Sequence, residues 1–124
     1  MIIGIGVDIT KVSRFEKWVS RQEMIDRFFN ENEKKSCSSV VSACEHYAAR
    51  FAAKEAFGKA MGTGIFGFDL KDVYVQNAPS GQPELFVQGK ALELLKNKCE
   101  KPIIHVSLSH EKEYATAFVV IETR

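Results

Sequence analysis

The chain has 124 residues, 45% of them hydrophobic, with 17 Lys and Arg against 16 Asp and Glu. This length fits one compact domain able to remove roughly two thirds of its extended-chain surface from water, and the composition excludes a disordered segment. The near-zero net charge of +1 excludes a global field for nucleic acid or a charged membrane, so attraction for an acidic partner has to be local.

Cys37, Cys44 and Cys99 form neither a C-x-x-C pair nor a zinc spacing, as expected of free thiols in a reducing compartment. The apolar opening, Met1 to Val7, is too short for a signal segment and has no basic residues before it. No apolar run is long enough to span a bilayer. The expectation is a soluble, cytoplasmic protein.

In chain order, Ile2 to Ile9 reads as a strand with Ile3, Ile5, Val7 and Ile9 on one face and Ile2, Gly4, Gly6 and Asp8 on the other. The apolar face is expected to take the core. The glycine face leaves room for something to approach the backbone beside Asp8. Thr10 or Ser13 can cap a helix to about Ser20, with a second from about Arg21 to Asn30. Polar residues Asn30 to Ser39 suit a short helical turn or a loop. The strongest helix signal spans about Ser42 to Met61, closed by Gly62.

Strands at Leu70–Gln76 and Glu84–Val87 flank a turn-rich segment containing Pro79, Gly81 and Pro83. A helix at about Gly89–Lys98 precedes Pro102. Two strands, Ile103–Ser109 and Tyr114–Glu122, joined by a tight polar turn, end the chain. The pattern predicts a single α+β domain, a small antiparallel sheet packed with one long and several short helices.

At 100° per residue, Cys44, Ala48, Phe51, Ala52, Glu55 and Lys59 share one side of the long helix. Ala49, Ala53, Ala56 and Ala60 form a neighbouring stripe small enough for another backbone to pack close. Glu55 extends an apolar face, where an unpaired carboxylate is costly. It reads either as an i, i+4 partner of Lys59 or as a catalytic group. Arg50 and Lys54 point well over a quarter turn away, so one ligand touching both sides must bend around the helix or reach from another subunit.

Asp8 reads either as a helix N-cap or, with Glu55, as one of the two carboxylates that Mg²⁺ takes when phosphates and water complete its shell. Lys59, one turn beyond Glu55, could then neutralise the same phosphates. On the strand Ile103–Ser109, His105, Ser107 and Ser109 form either a solvated face or a phosphate-binding one. Gly62-Thr-Gly-Ile-Phe-Gly67 is not a P-loop, because it closes a helix where a P-loop opens one.

Arg14, Trp18, Arg21 and Ile25 follow i, i+4, i+7, i+11 spacing, with Gln22 alongside. Between Lys11 and Phe29, five basic residues (Lys11, Arg14, Lys17, Arg21, Arg27) face three acidic ones (Glu16, Glu23, Asp26). Such a stripe suits either ordinary amphipathic packing or an acidic amphipathic helix of a partner.

These motifs resemble the holo-acyl-carrier-protein synthase family, the small homotrimeric phosphopantetheinyl transferases. The resemblance rests on Gly4-Ile-Gly-Val-Asp8, Arg50-Phe-Ala-Ala-Lys-Glu-Ala-Phe-Gly-Lys59, Gly62-Thr-Gly64, Ser80-Gly-Gln-Pro83 and His105-Val-Ser-Leu-Ser-His110. It implies a 4′-phosphopantetheinyl transferase-like fold and transfer of phosphopantetheine from coenzyme A to a serine of apo acyl carrier protein, in fatty acid biosynthesis. Adenosine 3′,5′-bisphosphate would be released.

By the same resemblance, Asp8 and Glu55 hold Mg²⁺, and Lys59 contacts the pyrophosphate or manages proton and charge transfer. Arg50 and His105, with Ser107, Ser109 and the Gly64 backbone, contact CoA phosphates. Arg14 and Arg21 dock the carrier, with Trp18, Gln22 and Ile25 around them. The cleft lies between adjacent subunits of a trimer. Departures from the family pattern are Ala49 for a common glycine, Ser109 for a frequent threonine, the large Trp18, and the apolar Ile65–Phe68 segment. The alternative is a non-catalytic CoA- or nucleotide-binding trimeric module, which needs neither carboxylate.

Overall fold

The structure, a computed structural model, describes residues 1–124. Strand β1 (Ile2–Lys11) leads through a 3-10 turn at Val12–Phe15 into helices α1 (Glu16–Val19) and α2 (Gln22–Phe28). A second 3-10 turn (Glu31–Glu33) precedes the long helix α3 (Val40–Met61). A third (Leu70–Asp72) leads to strands β2 (Val73–Asn77) and β3 (Pro83–Val87), then helix α4 (Gly89–Lys98) and strands β4 (Pro102–His110) and β5 (Tyr114–Thr123). The strands form two antiparallel sheets, β1-β5-β4 and the β2-β3 hairpin, so the α+β class is as expected.

Helix α3 is the axle. Ser39 caps its start, its side chain accepting from the Ser42 N–H at 3.1 Å, and Gly62 in the left-handed region (φ 80°) ends it. Its C-terminal half packs Ala52, Ala56, Phe57 and Ala60 against β2, α4 and β5. Its N-terminal half packs Tyr47, Ala48 and Phe51 against Val12, Phe15, Ile25 and Phe29. The alanine stripe lets β1 come into backbone contact: a Cβ on Gly4 or Gly6 would overlap the carbonyl oxygen of Ala60 or Ala56.

That contact reverses the face expected for β1. The glycine side takes the helix, because only glycine permits so close an approach. Ile5, Val7 and Ile9 instead point outward, 55%, 54% and 64% exposed. They share this surface with Phe118, which pairs with Val7 across the β1–β5 ladder. The start of the first helical region also differs. Strand β1 continues to Lys11, and Thr10 caps no helix; its hydroxyl donates to Asp8 instead.

A buried ion pair ties the polar segment after α2 to the axle. Lys54 Nζ donates to Glu33 Oε1 (2.6 Å) and to the carbonyls of Leu70 (2.8 Å) and Val73 (2.5 Å). Glu33 also accepts from the N–H groups of Asn30 and Val75. Burial raises the Glu33 pKa and lowers that of Lys54, and each charge opposes the shift of the other. With every polar atom engaged, the pair joins the 3-10 turn, α3 and the hairpin.

Candidate active site

Asp8 sits on β1, two residues beyond the point where Gly6 meets α3. Lys59 reaches across from the helix and donates to the Val7 carbonyl (3.0 Å) and Asp8 Oδ1 (3.3 Å). Thr10 Oγ1 donates to the other Asp8 oxygen at 2.9 Å. Asp8 is therefore not a helix N-cap, and Lys59 pairs with Asp8, not with Glu55. Glu55, one turn before Lys59, is half-buried. Burial first, and the negative charge of Asp8 second, raise its pKa, while Arg14 and Lys59 oppose the rise.

Asp8, Glu55, Lys59 and Arg14 are thus brought together as two carboxylates and two cations. No cluster of three or more His, Cys, Asp or Glu side chains forms a metal cage. A crowded carboxylate pair is nevertheless the donor set Mg²⁺ takes when a substrate's phosphates and water supply the remaining oxygens.

A second feature lies elsewhere around α3. A cavity of about 360 Å³ is lined by Lys35, Ser42, Glu45, His46, Arg50, Asn77 and His110, among others, with His110 Nδ1 2.9 Å from Glu45 Oε2. Arg50 Nε is buried there without a hydrogen-bond partner, and its Nη1 reaches only the His46 carbonyl at 3.5 Å. His46 Nε2 donates to the Glu33 carbonyl at 2.6 Å. Burial, and then the Arg50 charge, pull its pKa down to about 4. With Glu45 engaged by His110, the lysine and the under-coordinated arginine leave donors for an anion. Lys35, His46 and Asn77 were not candidates from sequence. The only signal was that Ser42, His46, Ala49 and Arg50 share one helical face.

His105 is not in this cavity. It stands on the exposed face of β4, 2.8 Å from Glu122 Oε1, and Ser107 and Ser109 follow on the same face opposite Phe118 and Thr116. Within one chain, Arg50 and His105 therefore occupy separate surfaces. Gly64 (φ 65°) lies in a loop folded back on α3, its N–H donating to the Gly58 carbonyl at 3.0 Å.

The basic stripe is not one helix, since Arg14 lies in the 3-10 turn, Trp18 in α1, and Arg21 precedes α2. Arg14, Arg21 and Gln22 are exposed, and Gln22 donates to Asp26 at 2.9 Å. Ile25 is only 4% exposed, packed in the core with Phe15 and Phe29. Buried there, it supports this surface from beneath. Trp18 is half-buried among Phe15, Phe28 and Phe51.

The chain matches the family model of the 4′-phosphopantetheinyl transferase superfamily over residues 4–119. A holo-[acyl-carrier-protein] synthase of Treponema denticola is 50% identical over 123 residues, 98% of this chain and 99% of that protein. One from Syntrophus aciditrophicus is 42% identical, covering 98% and 97%. Among solved structures, the holo-(acyl-carrier-protein) synthase of Bacillus anthracis in complex with CoA (3′,5′-ADP) superposes with a TM-score of 0.78 at 37% identity, over 100% of this chain and 99% of that one. The Helicobacter pylori synthase in complex with coenzyme A gives 0.77 at 28%, over 95% and 99%. With its motifs on β1 and α3 and a match that runs from end to end of the fold, the chain belongs to the 4′-phosphopantetheinyl transferase superfamily.

Proposed function

We propose that this chain moves the 4′-phosphopantetheine group of coenzyme A onto a serine of an apo acyl carrier protein, priming the carrier for fatty acid synthesis. The whole of residues 1–124 acts as one transferase domain. The observation that carries the reading is the convergence of Asp8, Glu55 and Lys59, which a module that only binds CoA does not need. No helix is long and apolar enough to cross a membrane, and we place the reaction in the cytoplasm.

In the reaction the serine oxygen attacks the β-phosphorus of CoA. A phosphodiester forms, the serine proton passes to a carboxylate of the site or of the carrier, and the bridging P–O bond breaks to release adenosine 3′,5′-bisphosphate. Such chemistry asks the protein mainly for positioning and charge stabilisation. Asp8 and Glu55 would hold Mg²⁺, which when bound offsets negative charge on the pyrophosphate oxygens. Lys59 is aimed by its two bonds to β1 and keeps its third N–H for the same oxygens. Arg50, with a buried N–H unused, binds the 3′-phosphate. Arg14 and Arg21, with Gln22, receive the acidic carrier.

The assembly is a homotrimer whose contact face is the apolar surface of Ile5, Val7, Ile9 and Phe118. The Arg50 cavity of one subunit then completes the Asp8–Glu55 site of its neighbour, which accounts for the two facing different ways on α3. His105, Ser107, Ser109 and the Gly64 backbone line the same cleft.

The test is intact mass spectrometry of an apo carrier incubated with the protein, CoA and Mg²⁺, beside an EDTA control. A mass gain of one phosphopantetheine group, absent with EDTA, is expected. CoA binding with no gain on several apo carriers would instead identify a binding module.

A further inference from the structure

We infer that Trp18 and Phe51 are positioning residues that hold the Arg14 guanidinium ready to receive a carboxylate of the docking carrier protein. This rests on the reading that Arg14 meets the carrier. Arg14 is exposed and forms no ion pair within the chain; its guanidinium carbon lies 5.9 Å from the Trp18 ring centroid and 5.2 Å from that of Phe51. A cation over two ring faces is held without using its N–H fork, which stays free for a bidentate carboxylate.

The platform is itself fixed. Trp18 stacks on Phe28 at 5.1 Å and meets Phe15 and Phe51 edge-on at 4.8 and 5.4 Å, and Phe15 and Phe51 are buried. Phe51 lies on α3 one turn before Glu55, so the platform is registered to the helix that carries the chemistry. The arginine charge is one of two that oppose the rise of the Glu55 pKa. An arginine free in water loses rotamer freedom when it is clamped by a partner, and a preformed ring platform removes part of that cost beforehand. The half-buried Trp18 therefore serves the docking surface through Arg14.

The test is steady-state kinetics with apo acyl carrier protein for Trp18→Leu, Arg14→Ala, the double variant and Trp18→Phe. Trp18→Leu is expected to raise KM for the carrier about fivefold, with KM for CoA little changed and Trp18→Phe largely restored. The double variant is expected to match Arg14→Ala within about twofold, because the ring acts only through the arginine. Penalties that multiply in the double variant, or a silent Trp18→Leu beside a damaging Arg14→Ala, overturn the inference and leave the docking reading standing. A silent Arg14→Ala overturns both. Should Trp18→Leu fail to fold, Trp18→Met fills most of the same space without a ring face: a raised carrier KM is expected, and an unchanged KM refutes the platform.

Discussion

Gly6 is pressed against helix α3 so closely that a Cβ on it would overlap the carbonyl oxygen of Ala56. The obstacle is backbone, so nothing can rotate aside, and the strand itself has to retreat. Overpacking of this kind costs about 3 kcal/mol. Gly6→Ala is expected to lower the melting temperature by about 10 °C. Turnover should fall further than stability, since Asp8, two residues on, is carried away from Lys59. A thermal melt with a turnover assay checks both, and unchanged values would show that β1 is not pinned here.

The carboxylate pair predicts its own metal dependence. Burial and the Asp8 charge hold Glu55 protonated to a higher pH than an ordinary glutamate. A cation binds the ionised form, so Mg²⁺ affinity is expected to weaken as pH falls, beginning above the usual carboxylate range. Glu55→Gln removes a crowded charge, so melting without metal should stay the same or rise while turnover drops at least about a hundredfold. Calorimetric Mg²⁺ titrations at several pH values, with turnover in EDTA, check this. Full turnover in EDTA would sink the assignment.

Elements set by local signals are legible in the sequence. Gly62 ends α3 at Met61 as expected, and α4 spans Gly89–Lys98 as expected. The Asp8, Glu55 and Lys59 spacings also come together in space. The remaining features depend on contacts distant in sequence. Strand periodicity gives two faces for β1 and cannot say which meets α3, and the glycine contacts settle it against the apolar side. The Glu33–Lys54 pair spans 21 residues, and the arginine cavity draws on Lys35, His46, Arg50 and Asn77. No spacing rule links such positions.

The outward face of β1 predicts assembly. Val7 and Phe118 are cross-strand partners, both about half exposed, and Ile5 and Ile9 extend the patch. The protein is expected to elute at about three times the 13.9 kDa chain mass. Phe118→Asp should give a folded monomer without transferase activity, because in the proposed trimer each cleft then lacks its neighbour's half. Light scattering after gel filtration reads the mass, and a wild-type monomer with full activity would remove the shared cleft.

His46 predicts an acid limb in stability. Its folded pKa of about 4 lies below the ordinary 6.5, chiefly because it is buried and secondarily because Arg50 is beside it. A depressed histidine contributes stability above pH 6.5 that is lost as pH falls through 4, because the unfolded chain takes up a proton that the folded one refuses. The loss is on the order of 2 kcal/mol once solvent screening is allowed for. His46→Gln keeps a donor for the Glu33 carbonyl and removes the titration. Its urea midpoint should fall less steeply over this window, and parallel profiles would exclude His46 as the source.

The proposed role of Arg50 at the 3′-phosphate, away from the pyrophosphate, can be tested with a donor that lacks that phosphate. Its Nε is buried with no acceptor, a state that costs about 1–3 kcal/mol until an anion arrives. Arg50→Met deletes the orphaned donor along with the charge, so the free variant should be at least as stable as the wild type. Its KM for CoA should rise by about tenfold or more, the loss of a charge-assisted contact. With dephospho-CoA, which lacks the 3′-phosphate, wild type and variant should be nearly alike. Equal loss with both donors would move Arg50 to the pyrophosphate. No loss with either would leave the cavity without a role in binding CoA, since an arginine kept unsatisfied for that anion has to weaken binding when it is removed.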